Sequence, residues 1–434
     1  MLIIAMTVIV GSLQAQAPTG IPEVDSAAVA RVAWGRMQDA LKHDDVPGAR
    51  AAIARAASAW PTQPAYPWAQ ALLAAQAGDS VAALGALTRF LDLGLGRVIT
   101  PASPLERFAR WPPFAAALRR LRDQGLPLAR SRTAVSTTDS TFWPEGVDYE
   151  PASRSYFLAG VRHGTIAQVR ADGSVRYLWP PDAPGTGAVL GVRVDTLRGI
   201  LWATISGIPQ RAGYLPADSA IAALLRIRVA DGAIERRWDL PPVPGGHVLG
   251  DLAVGPDGDV YFTDSNQPVL YRLRPNGDTL EHISHPLFRS LQGLAPSPDG
   301  RDLYLTDYSH GLLRVRLATG TVTRVADAPG STSLGCDGIA WDRGTIIAVQ
   351  NGVTPARVIR FILDPTGDRI ARLEVLDRNT PLAPEPTIGT VVGRRFVYVA
   401  NGQWDEYDDD GHLNADARLE PARLVAVPLD DLEH

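Results

Sequence analysis

Acidic side chains return at fixed places in the second two-thirds of this sequence. Residues 250–264 read GDLAVGPDGDVYFTD and residues 293–307 read GLAPSPDGRDLYLTD. The Pro-Asp-Gly turns lie 42 residues apart and the Thr-Asp pairs 43 apart, at Asp264 and Asp307. Carboxylates gathered by such a repeat can hold a hard cation, activate water, or tie loops together. Because Asp264 and Asp307 recur with the repeat itself, tying is the expected role for them. His163, His310, Asn351 and Asn401 start comparable loops and are candidates to rim a pocket, and His310 and His247 are candidate general bases. The run DEYDDDGH (405–412) has the spacing of a calcium loop, but Ala417 stands where a bidentate Glu would be needed, so a solvated acidic loop is expected. Other chemistries lack their residues. The chain has no G-x-S-x-G elbow, P-loop, H-E-x-x-H or dinucleotide fingerprint. Cys336 is the only cysteine, which excludes an intramolecular disulfide, a CxxC motif and a cysteine-ligated zinc site.

The elements that must position these residues follow from the repeat. Weaker copies are EGVDYEPASRSYFLAG (145–160), LGVRVDTLRGILWATIS (190–206), DGIAWDRGTIIAVQNG (337–352) and IGTVVGRRFVYVANG (388–402). Each copy is a strand, a tight turn and a second strand of alternating apolar residues. Six copies at about 40–60 residues predict a six-bladed β-propeller, an all-β fold, over 132–434. The predicted blades are 144–180, 188–240, 247–285, 290–328, 335–378 and 386–430, with 132–142 as a closing strand that pairs with the last blade. An insertion in blade two, 206–220, is expected to lie over one face as a lid or rim.

Residues 26–125 differ in kind. They are rich in Ala, Leu and Arg at helical spacing, which predicts helices near 26–43, 47–59, 65–77, 80–93 and 113–124. Two helix pairs, joined at His43-Asp44-Asp45 and Gly78-Asp79, resemble tetratricopeptide repeats. They predict a small all-α domain that either binds a protein partner or caps a propeller surface.

Composition narrows the function. A formal charge of −5, with Lys and Arg scattered, argues against nucleic acid as a partner. Hydrophobic residues make up 45%, so the 40 Gly and 35 Pro mark turns rather than disorder. The apolar run Leu2–Val10 leads to Ala15-Gln16-Ala17, which predicts a signal peptide over 1–17 and an exported, periplasmic or extracellular protein. That run is too short to span a membrane, and no other segment is a candidate.

Several residues of the propeller region carry a resemblance. Pro144-Glu145-Gly146, Gly250-Asp251, Gln292-Gly293-Leu294 and Cys336-Asp337-Gly338-Ile339 resemble the inner strands of the senescence-marker-protein, gluconolactonase and luciferin-regenerating-enzyme-like propellers. The resemblance covers about 140–430. It implies a divalent metal, typically calcium, at the mouth of the central channel, where inner strands converge. It implies Glu145, Gln292 and Asp337 as ligands, with Asp251 in place of an Asn position that falls on Gly250. Asp337 could also be the catalytic base, with His310 next. Where some lactonases carry a catalytic His, this chain has Val189-Leu190. The implied activity is metal-assisted hydrolysis of a small lactone or ester bound at the channel mouth. The alternative is a non-catalytic ligand- or protein-binding propeller. Two unpaired carboxylates near one axis, Glu145 and Asp337, would repel, so a cation or a proton is expected between them.

Overall fold

The computed structural model describes residues 26–430. The predicted signal segment, 1–17, lies outside the described residues. No described helix is long and apolar enough to cross a membrane. The chain forms two compact units, Met1–Trp60 and Pro61–His434.

In the first unit, helix α1 (Ser26–Lys42) pairs with helix α2 (Val46–Ala59). The turn between them uses Asp44 at φ 55°. Asp45 caps α2 by accepting the Gly48 N–H at 2.9 Å. Small residues face inward here, Ala30 and Ala33 from α1 and Ala49, Ile53 and Ala56 from α2, which lets helices approach closely.

In the second unit, α3 (Ala65–Gln76) and α4 (Ser80–Asp92) form another pair, and α5 (Pro112–Gly125) packs on α4. Asp79 caps α4 through the Ala82 N–H at 3.0 Å. Leu87, Phe90, Leu105, Phe114 and Leu121 fill the space between them; each such side chain contributes about 1.5–3 kcal/mol on burial. This helical block is bonded to blade five. Asn379 Nδ2 donates to the Gly125 carbonyl at 2.7 Å, Arg378 Nε to that of Leu126 at 3.0 Å, and buried Arg357 to that of Gly94 at 3.2 Å. All five predicted helices are present within a residue or two of their expected bounds.

Six four-stranded antiparallel sheets follow, as predicted. They run over 144–177, 188–239, 249–283, 291–324, 339–378 and 389–428. Each inner strand contacts the inner strand of the next sheet, and the sixth contacts the first, so the sheets close into a ring. The closing strand is also found, shorter than expected. Arg132–Ser136 pairs with Arg423–Pro428 as the outermost strand of blade six, with Arg132 opposite Ala426 and Ser136 opposite Arg423. One sheet therefore joins the beginning of the propeller to its end.

Blade three shows how the repeat folds. In Pro256-Asp257-Gly258 the glycine has φ 92°, a conformation that other residues adopt only with strain, and its N–H closes the turn on the Gly255 carbonyl at 2.9 Å. Phe262 and Tyr271 stand opposite each other on paired strands and stack at 4.9 Å. The Thr of each Thr-Asp pair then reaches across to the next blade. Thr263 Oγ1 donates to the Gln292 carbonyl at 2.9 Å and Thr306 Oγ1 to the Asp337 carbonyl at 2.7 Å. Thr204 does the same to Gly250 at 2.9 Å, and Thr387 of blade six reaches Glu145 of blade one at 2.8 Å. The Asp of each pair ties loops. Asp264 accepts from the N–H groups of Val248, Asn266 and Gln267, and Asp307 from those of Arg289, Ser290, Ser309 and His310. The expected tying role of both aspartates is what the structure shows.

Candidate functional site

The threonine latches fix Glu145, Gly250, Gln292 and Asp337, one residue at the start of the inner strand in each of four blades. Glu145, Leu190, Gly250, Gln292, Asp337 and Thr387 hold equivalent places around the ring. The next residue is Gly146, Gly191, Gly293 or Gly338 in four blades. A Cβ on any of these would lie 2.5–2.8 Å from backbone of the following blade. Glycine there lets neighbouring inner strands approach, which draws the preceding side chains toward one mouth. In blade three this place is taken by Asp251.

Loops from the second strands complete the site. Asn351 follows the second strand of blade five; its Nδ2 donates to Asp337 Oδ2 at 2.8 Å and to the Pro386 carbonyl at 2.9 Å. Tyr308 follows the second strand of blade four and donates its hydroxyl to Asn351 Oδ1. Trp404 opens a short 3₁₀ turn in blade six, and its indole Nε1 donates to Glu145 Oε2 at 2.7 Å. Glu385 in turn accepts the Trp404 N–H at 2.9 Å and the Asp405 N–H at 3.2 Å. One wall is apolar: Trp143 stacks on Tyr407 at 4.4 Å, meets Trp404 edge-on at 4.9 Å, and packs with Leu190 and Ile208.

This environment sets the two central carboxyls apart. Glu145 keeps some surface toward the mouth but is otherwise enclosed. Burial holds it well above the usual carboxylic range, and the charge of Asp337 adds to the effect; the Trp404 hydrogen bond opposes it. Burial pushes Asp337 up from 3.8 to about 6, against the pull of the Asn351 hydrogen bond. Glu385 rises to about 7, through burial and then through Asp405. Tyr308 is raised by burial and by the nearby charges of Asp337 and Glu145. The two carboxyls titrate as a pair, with Glu145 biased toward its protonated form and Asp337 pushed up to about 6.

The residues do not assemble the expected calcium site. Asp251 lies one residue deeper than Glu145 and Asp337. Its Oδ1 meets Arg193 Nη2 at 3.3 Å and the Leu252 N–H at 2.7 Å. Arg193 also faces Asp148 at 3.7 Å, and Thr390 donates to Asp148 at 2.6 Å. A guanidinium, rather than a cation site, neutralises the carboxylates beneath the mouth. Gly250 supplies no side chain, and the Gln292 amide donates to Ser290 Oγ at 3.3 Å. Glu145 and Asp337 each already accept a side-chain hydrogen bond. Among the described residues, no group of three or more His, Cys, Asp and Glu is arranged to hold a metal ion.

The histidine candidates are placed elsewhere in their loops. His310 has 0% exposure and lies with Nδ1 3.5 Å from Asp307. His247 is clamped between Asp264 at 2.5 Å and the Pro241 carbonyl at 2.9 Å, and the Asp264 contact raises its pKa. Neither ring reaches the mouth as a base. Of the rim candidates, Asn351 is in the site. His163 pairs with Asp182 and Thr141, and Asn401 bonds the backbone of Glu420, Pro421 and Arg423. The acidic run 405–412 is a loop, as expected. It meets the blade-two insertion, where Gln210 Nε2 donates to the Asp409 carbonyl at 3.3 Å, and Arg162 bonds the carbonyls of Gln210 and Gly411 at 3.0 and 3.1 Å. The insertion is a rim segment, held in place by blades one and six. Tyr308, Glu385 and Trp404 were not singled out from sequence. The usable signal was position: Tyr308, like Asn351, directly follows a second strand.

No protein-family profile matches the chain, and a search of the curated proteins returns no match. Solved structures do resemble it. A gluconolactonase from Xanthomonas campestris is 20% identical at a TM-score of 0.45, over 68% of this chain and 89% of that one. The calcium-binding protein regucalcin from Agrobacterium tumefaciens is 17% identical at 0.45, over 68% and 95%. Virginiamycin B lyase from Staphylococcus aureus is 18% identical at 0.45, over 63% and 81%. The likeness is one of fold.

Proposed function

We propose that the channel mouth is a hydrolytic site for a small lactone or ester, run by the Glu145–Asp337 pair. The observation that supports this reading is the pairing of the two carboxyls at one mouth with different partners, Trp404 on Glu145 and Asn351 on Asp337, one held well above the usual carboxylic range and one pushed up to about 6. Groups set apart in this way can act as acid and base in one step. Asp337 takes a proton from water as the water oxygen attacks the carbonyl carbon. Glu145 gives its proton to the departing alkoxide oxygen, and the acyl–oxygen bond breaks. For a lactone the product is the open hydroxy acid. Proton exchange between the two carboxyls restores the starting state. Asn351, backed by Tyr308, holds the Asp337 carboxylate in one orientation, and the half-buried rings of Trp404 and Tyr407, packed on Trp143, receive the apolar part of the substrate.

The test is a panel of small lactones and aryl esters, assayed with chelator-treated protein and with added calcium. Turnover should persist in chelator, and Asp337→Asn and Glu145→Gln should each lower kcat by about 10²–10⁴. No turnover of any panel member, or full activity in Asp337→Asn, would sink the reading. Strict dependence on calcium would restore the metal-assisted mechanism. A second reading, a non-catalytic binding propeller, is favoured by Leu190 and Gly250, which leave two places of the ring without polar side chains. It predicts saturable ligand binding with no turnover.

A further inference from the structure

A cavity of about 300 Å³ lies between blades two and three, at the strand ends opposite the mouth. It shares no residue with the carboxylate site. Its wall carries four guanidinium groups, from Arg198, Arg226, Arg236 and Arg274, and the side chains of Trp202 and Trp238. The one acidic residue in the wall is Asp195.

The arginines are held from the side. Arg198 pairs with Asp195 at 2.8 Å, Arg226 with Glu235 at 3.1 Å, Arg236 with Asp278 at 2.6 Å and Arg274 with Glu281 at 2.6 Å. A guanidinium offers five N–H groups and a carboxylate engages at most two of them in a fork, so each keeps donors in reserve. Arg236 lies over the Trp238 ring at 4.5 Å, and the two indoles sit 5.8 Å apart, tilted by 37°. Both indoles are more than nine-tenths buried, so each lines the cavity with only part of its ring. The cavity therefore combines flat apolar surface with side-chain donors in excess of acceptors. That is the complement of a ligand with a flat apolar body and an oxyanion head.

We propose that this cavity binds a small organic anion of that kind, an aryl carboxylate or its close equivalent. The volume is at the small end of ligand pockets, which suits a one- or two-ring compound. The probe is 1-naphthoate, with 1-naphthylmethanol as its uncharged counterpart. Binding to the full chain is followed by tryptophan fluorescence and by calorimetry. We expect saturable binding of naphthoate, at least about tenfold tighter than that of the alcohol. Arg236→Gln and Arg198→Gln, both at half-exposed positions whose replacement leaves the core intact, should each weaken naphthoate by about tenfold. Trp238→Phe shrinks the flat ring that supports Arg236 and should also weaken it. No saturation up to about 10 mM, equal affinity for the alcohol, or wild-type affinity in both arginine variants would overturn the proposal. So would loss of binding in Asp337→Asn, because it would place the probe at the channel mouth.

Discussion

Replacing Asp337 by asparagine tests the electrostatics of the mouth without requiring a substrate. The Asp337 carboxyl binds its proton more tightly in the folded protein than in the unfolded chain, at about 6 against 3.8. Its contribution to stability is therefore complete below about pH 4 and is lost as pH rises through about 6. A shift of about two units corresponds to at most about 3 kcal/mol, and relaxation around the charge brings the expected range to about 1–3 kcal/mol. The amide introduced by Asp337→Asn does not titrate, and its oxygen can still accept from Asn351. The variant should therefore gain on wild type by about 1–3 kcal/mol between about pH 4 and pH 8. For the unit Pro61–His434, unfolding entropy of about 2.1 cal/mol/K per residue turns this into a Tm difference of about 1–4 °C. Scanning calorimetry at the two pH values reads it directly. The same change removes the Asp337 charge that helps raise Glu145, so the Glu145 pKa should fall. A variant whose pH dependence runs parallel to wild type would refute the reasoning, and Asp337 would then be ionised without strain.

Two further substitutions test the supports. Trp404→Phe removes the donor to Glu145 Oε2 and with it an interaction that favours the ionised form. The Glu145 pKa should rise further, and kcat/KM for any panel substrate should drop about tenfold with the profile displaced; an unmoved pH profile would rule the contact out as functional. Arg193→Met leaves Asp148 and Asp251 buried without their shared cation. It should cost about 3–5 kcal/mol in a urea melt near neutral pH, and a loss under about 1 kcal/mol would show that the layer beneath the mouth is hydrated rather than ion-paired.

Much of the frame was readable from the chain. The repeat set six blades because a Pro-Asp-Gly turn and two alternating strands leave few other ways to fold. The helix bounds followed from apolar spacing and from Asp45 and Asp79 at the caps. Glu145 and Asp337 were named by the family resemblance, and the ring explains why two such distant residues meet. The place of Asp251 was not legible. Its neighbour Gly250 occupies the mouth position, and the carboxylate one residue deeper, facing Arg193, emerges from the packing of blades two and three. Asn351 was legible from its place directly after a second strand, and Tyr308 holds the same place in blade four; Trp404 lies further into its loop, where the repeat leaves no signal.

The number of blades and the closing strand were written in the chain, because they depend on local turn chemistry and on a repeated alternation of apolar residues. The surroundings of the carboxylates at the mouth, Glu145 and Asp337, come only from the folded arrangement. Their protonation depends on burial and on charges brought together from blades one, three and five, and the cation beneath them is an arginine from blade two. These are distances between segments far apart in the chain, and a pattern with a local period carries no record of them.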